Sequence, residues 1–205
     1  MFIHRLVLGE LDTNCYIVWS ENGQGIIIDP ADDADQICGF VDQHHISINA
    51  VILTHVHFDH MLAAGEVCTR LSAPLYVGRG DADALTDANR NLSAWFSPDI
   101  ELSLTANAYL SKGDTIDVGD TVLKVMETPG HTPGCICLYG DGVLFSGDTL
   151  FNGSIGRLDF PGGDAEKMIQ SLNELLKLPA DTVVYSGHGP QTTIGREAAT
   201  NPFLR

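Results

Sequence analysis

Residues 55–60, His-Val-His-Phe-Asp-His, restrict this chain more than any other stretch: three imidazoles and a carboxylate fall within six positions, directly after the apolar run Ala50–Thr54. The run reads as a buried strand, so His55, His57, Asp59 and His60 emerge together at its carboxyl end, where α/β folds place their sites. Left neutral, histidines packed this closely keep ring nitrogens without partners; protonated, they repel one another. A divalent cation removes both penalties. The segment therefore calls for a scaffold that brings further ligands to face it.

Three other segments offer such ligands. Residues 128–134 (TPGHTPG) carry His131, residues 146–149 (SGDT) carry Asp148, and residues 186–189 (SGHG) carry His188. Each follows a strand-like run, and the neighbouring glycines let the backbone turn sharply and approach an ion closely. Of the eight histidines, these five lie in such turns, whereas His4, His44 and His45 sit in a first strand and at a helix end and receive no role. The five cysteines, Cys15, Cys38, Cys68, Cys135 and Cys137, are odd in number and irregularly spaced, which predicts reduced thiols. Cys135 and Cys137, one residue apart, are read as buried apolar thiols rather than ligands.

The pattern around these segments predicts an α/β architecture. Strand-like runs open the chain at residues 2–8, 14–19 and 25–30, and an amphipathic helix follows over 33–45. A βαβ unit comes next, with a helix over 60–71. Residues 79–113 lack clear periodicity and are read as a partly helical cover over the site, with a plain surface insertion as the alternative and a turn at Ser97-Pro98-Asp99. Strands return from Thr115, and a helix over 162–178 begins at Asp164 as N-cap with Met168, Ile169, Leu172, Leu175 and Leu176 as its buried stripe. Apolar strands that need cover on both sides are satisfied by two sheets packed face to face with helices outside, a four-layer αββα sandwich. No linker divides residues 1–205, so one domain is expected.

Charge narrows the function classes. A formal charge of −16 without a basic patch argues against nucleic acid and anionic membrane as partners and leaves a small molecule as the expected ligand. The first residues lack a basic and apolar leader pattern and no segment reaches membrane-spanning length, so a cytoplasmic location is expected.

The order HxHxDH, then His, then Asp, then His resembles that of the metallo-β-lactamase superfamily, and the resemblance runs from the opening strands to residues 186–190. It implies the fold of that family and two divalent metal ions, zinc first, with iron or manganese as alternatives. His55, His57 and His131 would hold one ion, Asp59, His60 and His188 the other, and Asp148 would bridge them. It also implies hydrolysis by a hydroxide held between the ions, with Asp59 orienting it.

Residues 146–164, SGDTLFNGSIGRLDFPGGD, are similar to the glyoxalase II branch, the hydroxyacylglutathione hydrolases, especially its short bacterial members. This implies thioester hydrolysis of the S-lactoylglutathione type, in which a thiolate of pKa ~8.5 leaves without a strong acid. Arg157 is the expected clamp for a substrate carboxylate; the alternative is an ion pair with Asp159. Two departures point to a smaller or different thioester. Residues 192–205 end the chain where glyoxalase II proper continues into a helical extension, and Asp159 stands where that branch carries an aromatic residue. The segment GRLDF at 156–160 is also similar to iron-dependent persulfide dioxygenases, which use the equivalents of His55, His131 and Asp148, and a lactonase is a third reading.

Overall fold

Side-chain alternation along the strands decides how the layers stack. The computed structural model describes residues 1–96 and 102–204. Its first half comprises β1 (Phe2–Leu8), β2 (Thr13–Trp19), β3 (Gln24–Ile28), α1 (Ala34–Gln43), β4 (Ser47–Leu53), α2 (Phe58–Met61), α3 (Ala64–Leu71), β5 (Leu75–Gly78), a 3-10 turn (Arg79–Leu85), α4 (Ser93–Phe96) and β6 (Ala108–Leu110). These strands form one sheet in the order β1-β2-β3-β4-β5-β6. The second half adds β7 (Thr115–Val118), β8 (Thr121–Glu127), β9 (Ile136–Gly140), β10 (Val143–Gly147), the hairpin β11 (Leu150–Phe151) and β12 (Ser154–Ile155), α5 (Ala165–Leu175), β13 (Val183–Ser186), β14 (Thr192–Thr193) and α6 (Ile194–Thr200). Its main sheet has the order β14-β13-β10-β9-β8-β7.

Tyr16, Val18, Ile26, Ile28 and Ile52 of the first sheet meet Leu123, Val125, Leu138 and Phe145 of the second in a shared core. The intervening residues point the other way. Ile17, Ile27, Val51 and Leu53 pack with Ile37, Val41 and Val67 of α1 and α3, and Cys137, Leu144 and Val184 pack with Met168, Leu172, Leu175 and Ile194 of α5 and α6. The result is the expected αββα sandwich, since each central strand buries both faces. Among the described residues, no helix is long and apolar enough to cross a membrane.

Strand direction gathers the loops that matter. β3, β4, β5 and β6 run parallel. β10 is parallel to β13, and β8 and β10 share a direction because both are antiparallel to β9. The carboxyl ends of β8, β10 and β13 therefore share one edge, as do those of β3 and β4.

Three expectations need adjustment. The helix over 60–71 is two pieces, because the Ala63 amide donates to the carbonyl of Pro30 and interrupts the helical ladder. Ile169 is 58% exposed: the buried stripe of α5 follows Met168, Leu172 and Leu175, and the next residue after Met168 falls about 100° round the helix. Within 79–113 the cover also supplies β6, a strand too short to show periodicity. The turn at Ser97-Pro98-Asp99 lies outside the described residues. Cys135 and Cys137 are buried free thiols.

The layering predicts that Ile52→Ala destabilises the fold by about 2–5 kcal/mol, whereas Ile169→Ala changes stability by no more than about 0.5 kcal/mol. Urea unfolding of both variants checks this, and similar losses would contradict the assigned layers.

Candidate metal centre

The site forms where the two sheet edges adjoin. His55 follows β4, His57 is the N-cap of α2, and Asp59 and His60 lie in that single turn. His131 lies between β8 and β9, Asp148 just past β10, and His188 just past β13. Backbone bonds clip the loops together: the Gly187 amide donates to the carbonyl of Gly147 at 2.8 Å and the Asn14 amide to that of Gly187 at 2.7 Å. Gly187 is required by close approach, since a Cβ there would lie 2.2 Å from Asp148 Oδ1 and 2.7 Å from His60 Cε1.

Hydrogen bonds on the outer side fix which ring nitrogens face inward. His60 Nδ1 donates to Asp29 Oδ2 at 3.0 Å, His131 Nδ1 to the Arg157 carbonyl at 2.7 Å, and His188 Nδ1 to the Leu11 carbonyl at 3.1 Å. The Thr54 hydroxyl gives its one hydrogen to Asp29 Oδ2 at 2.7 Å, so its contact of 3.2 Å with His55 Nδ1 makes that nitrogen the donor. Each Nε2 of these four rings is then left with a lone pair directed into the site. Outer-side bonding of this kind is how proteins orient imidazole ligands.

Those lone pairs face groups that also carry lone pairs. His60 Nε2 is 3.4 Å from Asp148 Oδ1, 3.5 Å from Asp59 Oδ2 and 3.3 Å from His188 Nε2. His131 Nε2 is 3.6 Å from Asp148 Oδ2, and at 2.9 Å it can accept from His57 Nδ1, which leaves the lone pair of that ring on Nε2. His55 Nε2, His57 Nε2 and Asp148 Oδ1 are buried without hydrogen-bond partners. Positive charge must lie between these atoms, and the donor set of imidazoles and carboxylates suits a divalent transition metal. The residues present fit such ions: potential ligand atoms within 4.8 Å of one another group as His55, His57 and His131; as His55, His60 and Asp148; and as Asp59, His60 and His188.

The electrostatics agree. Burial opposes charge on His60, but Asp59, Asp148 and Asp29 outweigh it and carry that imidazole up to about 10. His188 is likewise raised against burial by Asp59 and Asp148. Burial and the neighbouring imidazoles push His55 and His57 well below the ordinary histidine value. Asp59 is held below the usual carboxylate range, because His60, His188 and the hydroxyl of Thr13 outweigh its burial. The field that draws a proton to the Asp59–His60–His188 side draws a cation as well.

Three supporting carboxylates escaped the sequence reading. Asp29 lies at the end of a strand-like run, before a proline; its φ of 51° is strained for a residue other than glycine, and it accepts from Thr54 N, Thr54 Oγ1 and His60. Asp81 lies in the stretch without periodicity. Its buried carboxylate accepts from Val56 N, Thr132 Oγ1 and Gly134 N, stapling the loop of His55 to that of His131. Glu197, fully buried, accepts from Gly153 N and Thr192 Oγ1 and so ties the β11–β12 hairpin to α6.

In front of the cluster lies a pocket of about 340 Å³, lined by Leu11, Phe58, Phe96, Phe151, Ile155, Phe160 and the ligand-type residues His57, Asp59, His131, Asp148 and His188. Arg157 stands at this pocket, where a substrate clamp was expected. Its Nε and Nη2 donate to the two carboxylate oxygens of Asp159 at 2.7 Å each. A substrate carboxylate would meet that fork only by displacing Asp159.

A buried histidine and aspartate cluster at the shared edge of an αββα sandwich defines a metal-site protein of the metallo-hydrolase class. The chain belongs to the metallo-β-lactamase superfamily, whose sequence model matches residues 8–188. It is 32% identical to hydroxyacylglutathione hydrolase GloC of Haemophilus influenzae, over 100% of this chain and 98% of that protein. Among solved structures it is similar to BLEG-1 B3 metallo-β-lactamase (TM-score 0.93, 36% identity, 99% of each chain). A second is TTHA1623 in a di-iron-bound form (TM-score 0.87, 36% identity, 98% of this chain and 100% of that one). A third is ETHE1 from Myxococcus xanthus (TM-score 0.83, 30% identity, 98% of this chain and 84% of that one).

Asp81→Ala is expected to destabilise the protein by about 3 kcal/mol or more, because buried donors lose their acceptor, and to weaken metal binding by about 10–100-fold. Urea unfolding and chelator competition measure the two effects. Unchanged metal affinity would show that the staple does not position the ligands.

Proposed function

We propose that this protein is a metal-dependent hydrolase of thioesters, with His55, His57 and His131 holding one ion, Asp59, His60 and His188 a second, and Asp148 shared between them. The observation that carries this reading is the set of inward lone pairs on His60, His131 and His188 opposed to the carboxylates of Asp59 and Asp148, with His55 Nε2 buried beside them without a partner. When bound, two such ions supply the acidity that makes water a nucleophile near neutral pH and polarise a substrate carbonyl. Zinc is the first choice for both positions, with iron or manganese as alternatives.

The chain's own residues supply the rest. Asp59, kept ionised and braced by the hydroxyl of Thr13 at 2.9 Å, orients the attacking water. Phe58, Phe96 and Phe160 narrow the approach and exclude bulk solvent. Attack on the acyl carbon adds the oxygen of water, the C–S bond breaks with its electron pair on sulfur, and the sulfur departs as a thiolate that needs no dedicated acid, the protons of the water passing to solvent. GloC supports the thioester assignment because a protein matched over nearly its whole length carries the name hydroxyacylglutathione hydrolase.

A dioxygenase on this fold would use His55, His131 and Asp148 with one iron. The other half of the cluster speaks against a single ion here: Asp59, His60 and His188 are each braced from outside, by Thr13, Asp29 and Leu11. Such bracing characterises ligands rather than spare polar groups.

The metal-loaded protein is expected to hydrolyse S-lactoylglutathione, to lose that activity on chelation and to regain it when metal is restored. A lactone and a chromogenic cephalosporin, assayed in parallel, should be turned over less efficiently. Oxygen uptake with glutathione persulfide and no ester turnover would reject the hydrolase.

A further inference from the structure

One wall of the pocket is built from three phenylalanines that come from separate parts of the chain. The rings of Phe58 and Phe96 stack with centroids 5.7 Å apart and 10° between their planes. Phe160 stands edge-on to Phe96 at 6.1 Å, to His57 at 5.8 Å and to Trp95 at 6.2 Å. Trp95 and Phe96 are 52% and 53% exposed, so two large apolar side chains sit side by side at the rim. Scattered exposed apolar residues need no explanation, but a contiguous patch bordering a concave site is the mark of a ligand surface.

The wall itself offers no free cationic side chain. Among the described residues that line the pocket, Arg157 is the one lysine or arginine. Its fork is filled by Asp159, and its guanidinium lies over the Phe160 ring at 3.9 Å. The pair is neutral as a unit and extends the aromatic platform. A ligand bearing two carboxylates therefore finds no free lysine or arginine among the described residues of the lining. A neutral aryl group meets ring faces and edges in the offset and edge-to-face arrangements that aromatic pairs favour. The volume of about 340 Å³ lies at the small end of the ~300–1,000 Å³ range of ligand pockets and suits a compact group.

We propose that Phe58, Phe96 and Phe160 form a cage for an uncharged aryl or branched-alkyl group of the substrate, which places the substrate's carbonyl at the histidine and aspartate cluster. The substrate class is then a neutral, apolar thioester rather than an anionic peptide thioester. The chemistry rests on the hydrolase reading; the binding preference rests on the cage alone.

The test uses the full chain carrying Trp19→Phe, which leaves Trp95 as its one tryptophan. Titrations with phenylacetamide and with S-methylglutathione are followed by the fluorescence of that indole. Phenylacetamide is expected to give a saturable change with Kd at least tenfold below that of S-methylglutathione, and Phe96→Ala to weaken it at least tenfold while Phe96→Tyr retains it. Equal or tighter binding of S-methylglutathione, or unaltered affinity in Phe96→Ala, would overturn the cage. Turnover separates the cage from the chemistry. With metal loaded, the phenylacetyl thioester of N-acetylcysteamine should exceed S-lactoylglutathione in kcat/KM. The reverse order would overturn the cage and leave the hydrolase standing, whereas tight phenylacetamide binding with no thioester turned over would remove the hydrolase and leave the cage.

Discussion

Lone pairs of ring nitrogens and carboxylate oxygens meet at 3.3–3.6 Å around His60, His131, Asp148 and His188, and such a cluster persists only if positive charge sits among them. Much of the surrounding structure serves that meeting. The outward bonds to Asp29, the Leu11 carbonyl and the Arg157 carbonyl hold the rings in one tautomer and one orientation. Gly187 lets the loop after β13 come within contact of Asp148. The sandwich brings two sheet edges together so that ligands from β4, β8, β10 and β13 converge, while the shared core around Phe145 and Ile52 keeps those edges in register.

Sequence showed the candidate ligands more readily than their supports, for a physical reason. His55, His57, Asp59 and His60 are dense in one segment, and His131, Asp148 and His188 each sit in a glycine-rich turn after an apolar run, so local chemistry and local geometry coincide. Asp81 carries no such signal. Its partners Val56, Thr132 and Gly134 are distant in sequence, and only the fold brings them to it. Likewise Glu197 looks like any acidic residue in a short helix, yet it is fully buried and holds the hairpin bearing Phe151 and Ile155. The four layers followed from strands apolar on both faces. The break between α2 and α3 did not, because it is set by a carbonyl of Pro30 far along the chain.

The pocket and the ion cluster obey different constraints. Burial and charge balance decide which side chains can hold ions, leaving little freedom. The wall opposite is made of Phe58, Phe96 and Phe160, and Arg157 is tied to Asp159, so recognition here depends on shape and aromatic surface more than on ion pairing. A shared centre with variable walls is how one fold can serve several substrates.

That seven residues hold two ions is tested most directly by the metal content of each chain. Elemental mass spectrometry on protein purified without added metal should give about two ions per chain for the parent and about one for His188→Ala, because the outward hydrogen bonds that orient His55 and His131 do not involve His188 and leave the other ion's ligands in place. One ion per chain in both proteins would contradict the two-ion centre.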